Sequence, residues 1–92
     1  MKRVENWSIQ VHLGQYKSPK CVGATIYLCG NIYGHEFITN GRRIKSSKII
    51  ELDTNDRIAR TTDAIYRLGR PDMWYLEWLR RNKFSLKELG LG

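Results

Sequence analysis

The sequence predicts an α+β domain: a small, strongly bent antiparallel β-sheet or SH3-like barrel of about five strands, followed by a C-terminal α-helix. Three observations predict it. Short stretches between residues 5 and 69 alternate apolar with polar side chains, the period of half-buried strands. Gly, Asn and Asp sit between those stretches, as turn signals do in an antiparallel sandwich or barrel. Beyond Gly69 the apolar spacing becomes helical, across 71–90.

A chain of 92 residues makes a single domain, 1–92, that buries roughly 60% of its unfolded surface. No apolar run is long enough to span a membrane, and "MKRVENWSIQ" lacks the apolar region of a signal peptide. A cytoplasmic location is expected. Cys21 and Cys29 are too few for a disulfide framework and lack metal spacing, so reduced thiols are expected. Cys29 alternates with apolar neighbours and reads as a packed strand residue.

In "WSIQVHL", Trp7, Ile9, Val11 and Leu13 alternate with Ser8, Gln10 and His12. That pattern predicts a strand with one wet face, which would expose His12. "GQYKSPK", residues 14 to 20, is a polar loop. "ATIYLCGNIY", residues 24 to 33, has bulky residues on both faces and reads as the central strand. Gly30 within it marks a bulge or bend, and Gly34 closes it. Asn40-Gly41 is the dipeptide of a two-residue hairpin turn, with positive φ expected at both positions. "RIKSSKIIEL", "RIARTT" and "AIYRL" supply three further strands, separated by "DTND" and a "TD" corner.

"DMWYLEWLRRN", residues 72 to 82, predicts the helix, starting at Pro71-Asp72 and ending in basic residues that suit its dipole. Met73, Leu76 and Leu79 share one side, with Trp74 and Trp78 on an adjoining stripe. In "FSLKELG", Ser85 and Glu88 form a capping box, Phe84 and Leu89 a hydrophobic staple and Gly90 a stop, for one turn of docked helix.

Chemistry has few candidates here. Two histidines in different segments and scattered single acids make no metal motif, and "GNIYGHEF" lacks the lysine and following helix of a phosphate-binding loop. No cofactor and no enzymatic activity are expected. His35 reads as a turn histidine pinning its loop, in competition with a ligand contact or general base. Charge is more informative: sixteen Lys and Arg against nine Asp and Glu leave a net +7, which favours an anionic partner. Between Phe37 and Ile50 there is no acid, but there are Arg42, Arg43, Lys45 and Lys48. Period two puts Arg43, Lys45 and Ser47 on one face and Lys48 on the other, unless the doubled serine marks a bulge. Arg57, Arg60, Arg67 and Arg70 follow from later segments, and Tyr27, Tyr33 and Tyr66 are candidate stacking surfaces for bases.

Residues 28–69, "LCGNIYGHEF…NGRRIKSSKIIEL…TTDAIYRLG", resemble a small uncharacterised domain of bacteriophage and prophage proteins. The resemblance lies in strand-Gly-x-x-x-Gly-His, Asn-Gly and Thr-x-x-x-Tyr-x-Leu-Gly; it departs at Lys45-Ser46-Ser47, where the pattern has a threonine-serine pair, and it leaves out the tryptophan helix. It implies a bacterial host cell and no catalytic residue. The expected function is binding of an anionic ligand, nucleic acid or a nucleotide signal, by Arg42, Arg43, Lys45, Lys48, Arg60, Tyr33 and His35. A phage antagonist of bacterial immunity would fit that chemistry. The alternative is a protein-interaction or self-association module that docks through Trp74, Trp78 and Arg81 of the C-terminal helix.

Overall fold

In the computed structural model, which describes residues 2–12, 14–21 and 23–92, the strands are β1 (Lys2–His12), β2 (Gln15–Tyr16), β3 (Tyr27–Tyr33), β4 (Arg43–Asp53), β5 (Ile58–Thr61) and β6 (Ile65–Leu68). The helix α1 spans Met73–Arg81. One bent sheet runs β2-β1-β3-β4-β5-β6 with antiparallel neighbours, and a short parallel pairing of β1 with β6 closes it into a ring. The predicted α+β class with a bent sheet and C-terminal helix is therefore the observed one. The two-residue β2 and the parallel seam are additions.

β1 starts earlier than its alternation suggested because a bulge interrupts the pattern. Glu5 pairs with Asn31 and Ser8 with Cys29, so Asn6 and Trp7 together oppose Gly30. Asn6 takes a positive φ of 50° there. A Cβ on residue 30 would lie 2.5 Å from Val4 Cγ1 and 2.7 Å from the Glu5 carbonyl oxygen. Only glycine lets the bulged backbone approach so closely. The bulge turns both Val4 and Trp7 into the core, three residues apart.

The expected wet face of β1 is a correction. Ser8 and Gln10 are buried, because the β1–β2 hairpin and β3 enclose them. Gln10 Nε2 donates to Ser8 Oγ at 2.9 Å, and Gln10 Oε1 accepts from the Gly14 N–H at 2.8 Å. A buried polar pair of this kind is tolerated because it is satisfied. His12 is exposed, as expected; Leu13 lies outside the described residues.

The core lies inside the ring: Val4, Trp7, Ile9, Leu28, Ile32, Ile49, Ala59, Tyr66 and Leu68. α1 follows Pro71, which bridges to Trp7, and its N-cap Asp72 accepts from the Tyr75 N–H at 3.2 Å. The helix buries Tyr75 and Leu79, not Met73, which is 81% exposed. Tyr75 packs on Trp7 and Tyr16 with ring centroids 5.9 and 5.3 Å away, and its hydroxyl donates to the Lys17 carbonyl. Burial pushes the Tyr75 phenol far above its ordinary range. After α1 the chain forms turns over residues 86–90 rather than a helix. Ser85 Oγ accepts from the Glu88 N–H at 3.3 Å, half of the expected capping box, and Leu89 docks into the core.

Candidate functional site

β3 carries no bulge, so Tyr27, Cys29, Asn31 and Tyr33 all point to the outer face. Their cross-strand partners on β1 are Gln10, Ser8, Glu5 and Arg3 in turn. On β4, Lys48 lies opposite Tyr27, Lys45 opposite Cys29 and Arg43 opposite Asn31. Two residues separate Lys45 from Lys48 where one separates their β3 partners, so the doubled serine is a bulge. Ser46 turns inward, and its hydroxyl accepts from the Leu28 N–H at 2.9 Å. That extra residue brings Lys48 onto the face of Arg43 and Lys45.

The outcome is a row of rings and cations on β1, β3 and β4. Lys45 Nζ stands 4.3 Å above the Tyr27 ring centroid and the Arg3 guanidinium 5.0 Å above that of Tyr33. Glu5 is the acid of the row. One of its oxygens meets Arg3 Nε at 2.7 Å and the other accepts from the Arg70 N–H at 2.7 Å. Among the described residues, Arg42, Arg43, Lys45 and Lys48 take part in no ion pair. Beneath them the Cys29 thiol is pushed up by burial, with Arg43 and Lys45 pulling the other way. Arg67 lies across the β1–β6 seam from Arg3 and extends the positive edge.

The remaining expected site residues fall elsewhere. Arg42 is exposed at the turn before β4. That turn is not the expected two-residue hairpin: the connection runs through residues 34–42, and of the Asn40-Gly41 pair Gly41 alone has positive φ. Arg60 sits outside the row and meets Glu51 at 3.5 Å. His35 Nδ1 accepts from the Phe37 N–H at 3.0 Å, which pins the loop after Tyr33. Tyr66 is a core residue whose phenol is raised by burial and by Asp63, so it offers no ring to a ligand. Trp78 packs between Tyr16, Tyr75 and Phe84, whereas Trp74 is 75% exposed. Arg81 meets Glu77 at 3.5 Å. Sequence reasoning missed Arg3, because the bulge hid the start of β1.

Two clefts of about 550 and 560 Å³ lie off the row, one beside Trp78 and Phe84 and one beside His35 and Phe37. Among the described residues no three His, Cys, Asp or Glu side chains converge as a metal site requires. Neither a family model, nor a curated protein, nor a solved structure matches the chain. The chemistry of the row has to be read from its own geometry.

Proposed function

We propose that this chain is a non-enzymatic binding protein whose β1–β3–β4 face holds single-stranded nucleic acid. The alignment of Arg43, Lys45 and Lys48 with Tyr27 and Tyr33 on one open face carries the reading. Cations without carboxylate partners suit phosphates, and half-buried surface rings suit unpaired bases. From Tyr27 to Tyr33 the strand runs roughly 20 Å at ~3.3 Å per residue. A mononucleotide would reach one end of that track, while a polymer would use its length. The resemblance to phage and prophage domains supports a setting inside a bacterial host, where such a protein would act by occupying nucleic acid, as an antagonist of host defence.

The test is fluorescence anisotropy with labelled 12-nucleotide DNA and RNA strands across a salt series. Log affinity should fall with log salt, and each lost phosphate contact should reduce the slope by about 0.7. Undetectable binding at ~50 mM salt sinks the reading.

A second reading rests on Met73 and Trp74, which α1 leaves exposed: a protein partner, or a second copy, docking there. A mass that rises with concentration, or a pull-down abolished by Trp74→Ala, would favour it. Trp78→Ala is the wrong probe, because Trp78 is part of the packing.

A further inference from the structure

We propose that Phe37, Ile65 and Lys2 form a base-stacking cleft at the Tyr33 end of this face, taking an unpaired nucleobase. The inference rests on the reading of the face as a nucleic-acid surface and adds a site to it. Phe37 is 89% exposed and Ile65 48% exposed. With Lys2, Gly34, His35 and Glu36 they line a cleft of about 560 Å³. A single exposed apolar side chain is ordinary. This one lines a cleft on a loop whose backbone is pinned by its own hydrogen bonds.

The loop leaves β3 at Gly34, whose φ is 78° and whose N–H donates to Asn40 Oδ1 at 2.9 Å. The Phe37 N–H then donates to His35 Nδ1, and the two rings meet edge to face with centroids 6.2 Å apart. The loop backbone is thus pinned, and the Phe37 ring is presented to solvent beside the His35 imidazole. Tyr33, covered by Arg3, immediately precedes this loop in sequence, and Lys2 adjoins Arg3 on β1. Two lining residues, Gly34 and Lys2, are direct chain neighbours of Tyr33 and Arg3, so the cleft adjoins the end of the row. The lining carries one cation, Lys2, and one carboxylate, Glu36, so its formal charges cancel and it favours an uncharged base over a phosphate. Because every base has a π-face, the cleft is sequence-tolerant, and it discriminates against duplexes, whose bases are already stacked.

The experiment titrates the full chain with a 12-nucleotide DNA strand carrying one 2-aminopurine. Phe37→Ala should weaken binding about 10-fold, leave the salt slope unchanged and abolish the 2-aminopurine quenching. Phe37→Trp should restore both affinity and quenching. Lys45→Ala, by contrast, should lower the slope. Should Lys45→Ala lower the slope while Phe37→Ala changes affinity less than about 2-fold, the cleft is overturned and the face stands. The cleft also falls if Phe37→Trp fails to rescue. Absence of any binding by the wild type removes both. Circular dichroism of Phe37→Ala should match the wild type, since so exposed a ring adds little to the core.

Discussion

The outer face of β1–β3–β4 and the β5–β6 side of the ring are built from the same residue types and end up with different roles. On the first, Tyr27 and Tyr33 stay at the surface beneath Lys45 and Arg3. On the second, Tyr66 turns into the core and Arg60 is bridged to Glu51. Composition does not separate them; register does. Tyr66 pairs with Ala59, an inward position, whereas Tyr27 pairs with Lys48. A one-residue slip exchanges the two outcomes, and the Ser46–Ser47 bulge is such a slip, placed where it adds a cation to the row.

The comparison is broken most forcefully at its tyrosines. Tyr66→Ala empties a core position and should cost about 3–5 kcal/mol of stability, read as a urea midpoint. Tyr27→Ala should cost less than about 1 kcal/mol while weakening single-strand binding. Equal destabilisation by the two would mean the rings are not differently placed. Next comes Gly30→Ala, expected to cost about 3 kcal/mol, at the upper end of overpacking effects. Its Cβ meets the Glu5 carbonyl oxygen at 2.7 Å, and that backbone has little room to retreat. If the bulge instead relaxes without loss, Gly30 is not what holds Trp7 inward.

Local patterns made much of this legible. Alternation and turn residues located β3, β4, β5 and β6, and the changed period located α1 with its Asp72 cap. What escaped was produced by contacts distant in sequence. The β1–β6 seam joins residues 2–4 to 66–68, and no local signal announces a pairing of that separation. The burial of Ser8 and Gln10 follows from where the β1–β2 hairpin folds, so polar residues looked wet and are dry. Asn6 and Trp7 broke the alternation that would have extended β1 to Arg3. For the candidate site, Arg43 and Lys45 were readable from an acid-free basic run and Tyr33 as a candidate stacking ring, while Lys48 depended on a bulge that the serine pair only hinted at. Arg60 was misplaced because its Glu51 partner lies on another strand.

Smaller effects sharpen the contrast between cations. Lys45→Ala should weaken single-strand binding by about 1 kcal/mol, roughly 5-fold, and reduce the salt slope by about 0.7. Arg60→Ala should leave both within error, since its guanidinium already meets a carboxylate away from the row. A matching slope loss in the two variants would point to a diffuse positive field rather than a track.

The smallest expected effect concerns the joint between the two regions. Asp63, at the β5–β6 corner, accepts from the Ser47 hydroxyl at 2.8 Å and meets the Thr61 hydroxyl at 3.0 Å. Ser47 belongs to the bulge that carries Lys48 onto the row, so this carboxylate ties that bulge to the opposite side of the ring. The Ser47 and then the Thr61 hydroxyl hold its carboxyl below the usual range. A carboxyl depressed in the folded state stabilises above the unfolded value of about 3.9. That contribution fades as pH falls through the folded value. Urea midpoints should therefore drop between pH 6 and pH 2 slightly more in the wild type than in Ser47→Ala. Other carboxylates titrate alike in both chains, so the difference isolates Asp63. Identical drops would show that the exposed Asp63 is screened by water and that the serine bulge is held by its Ser46 bond to β3 alone.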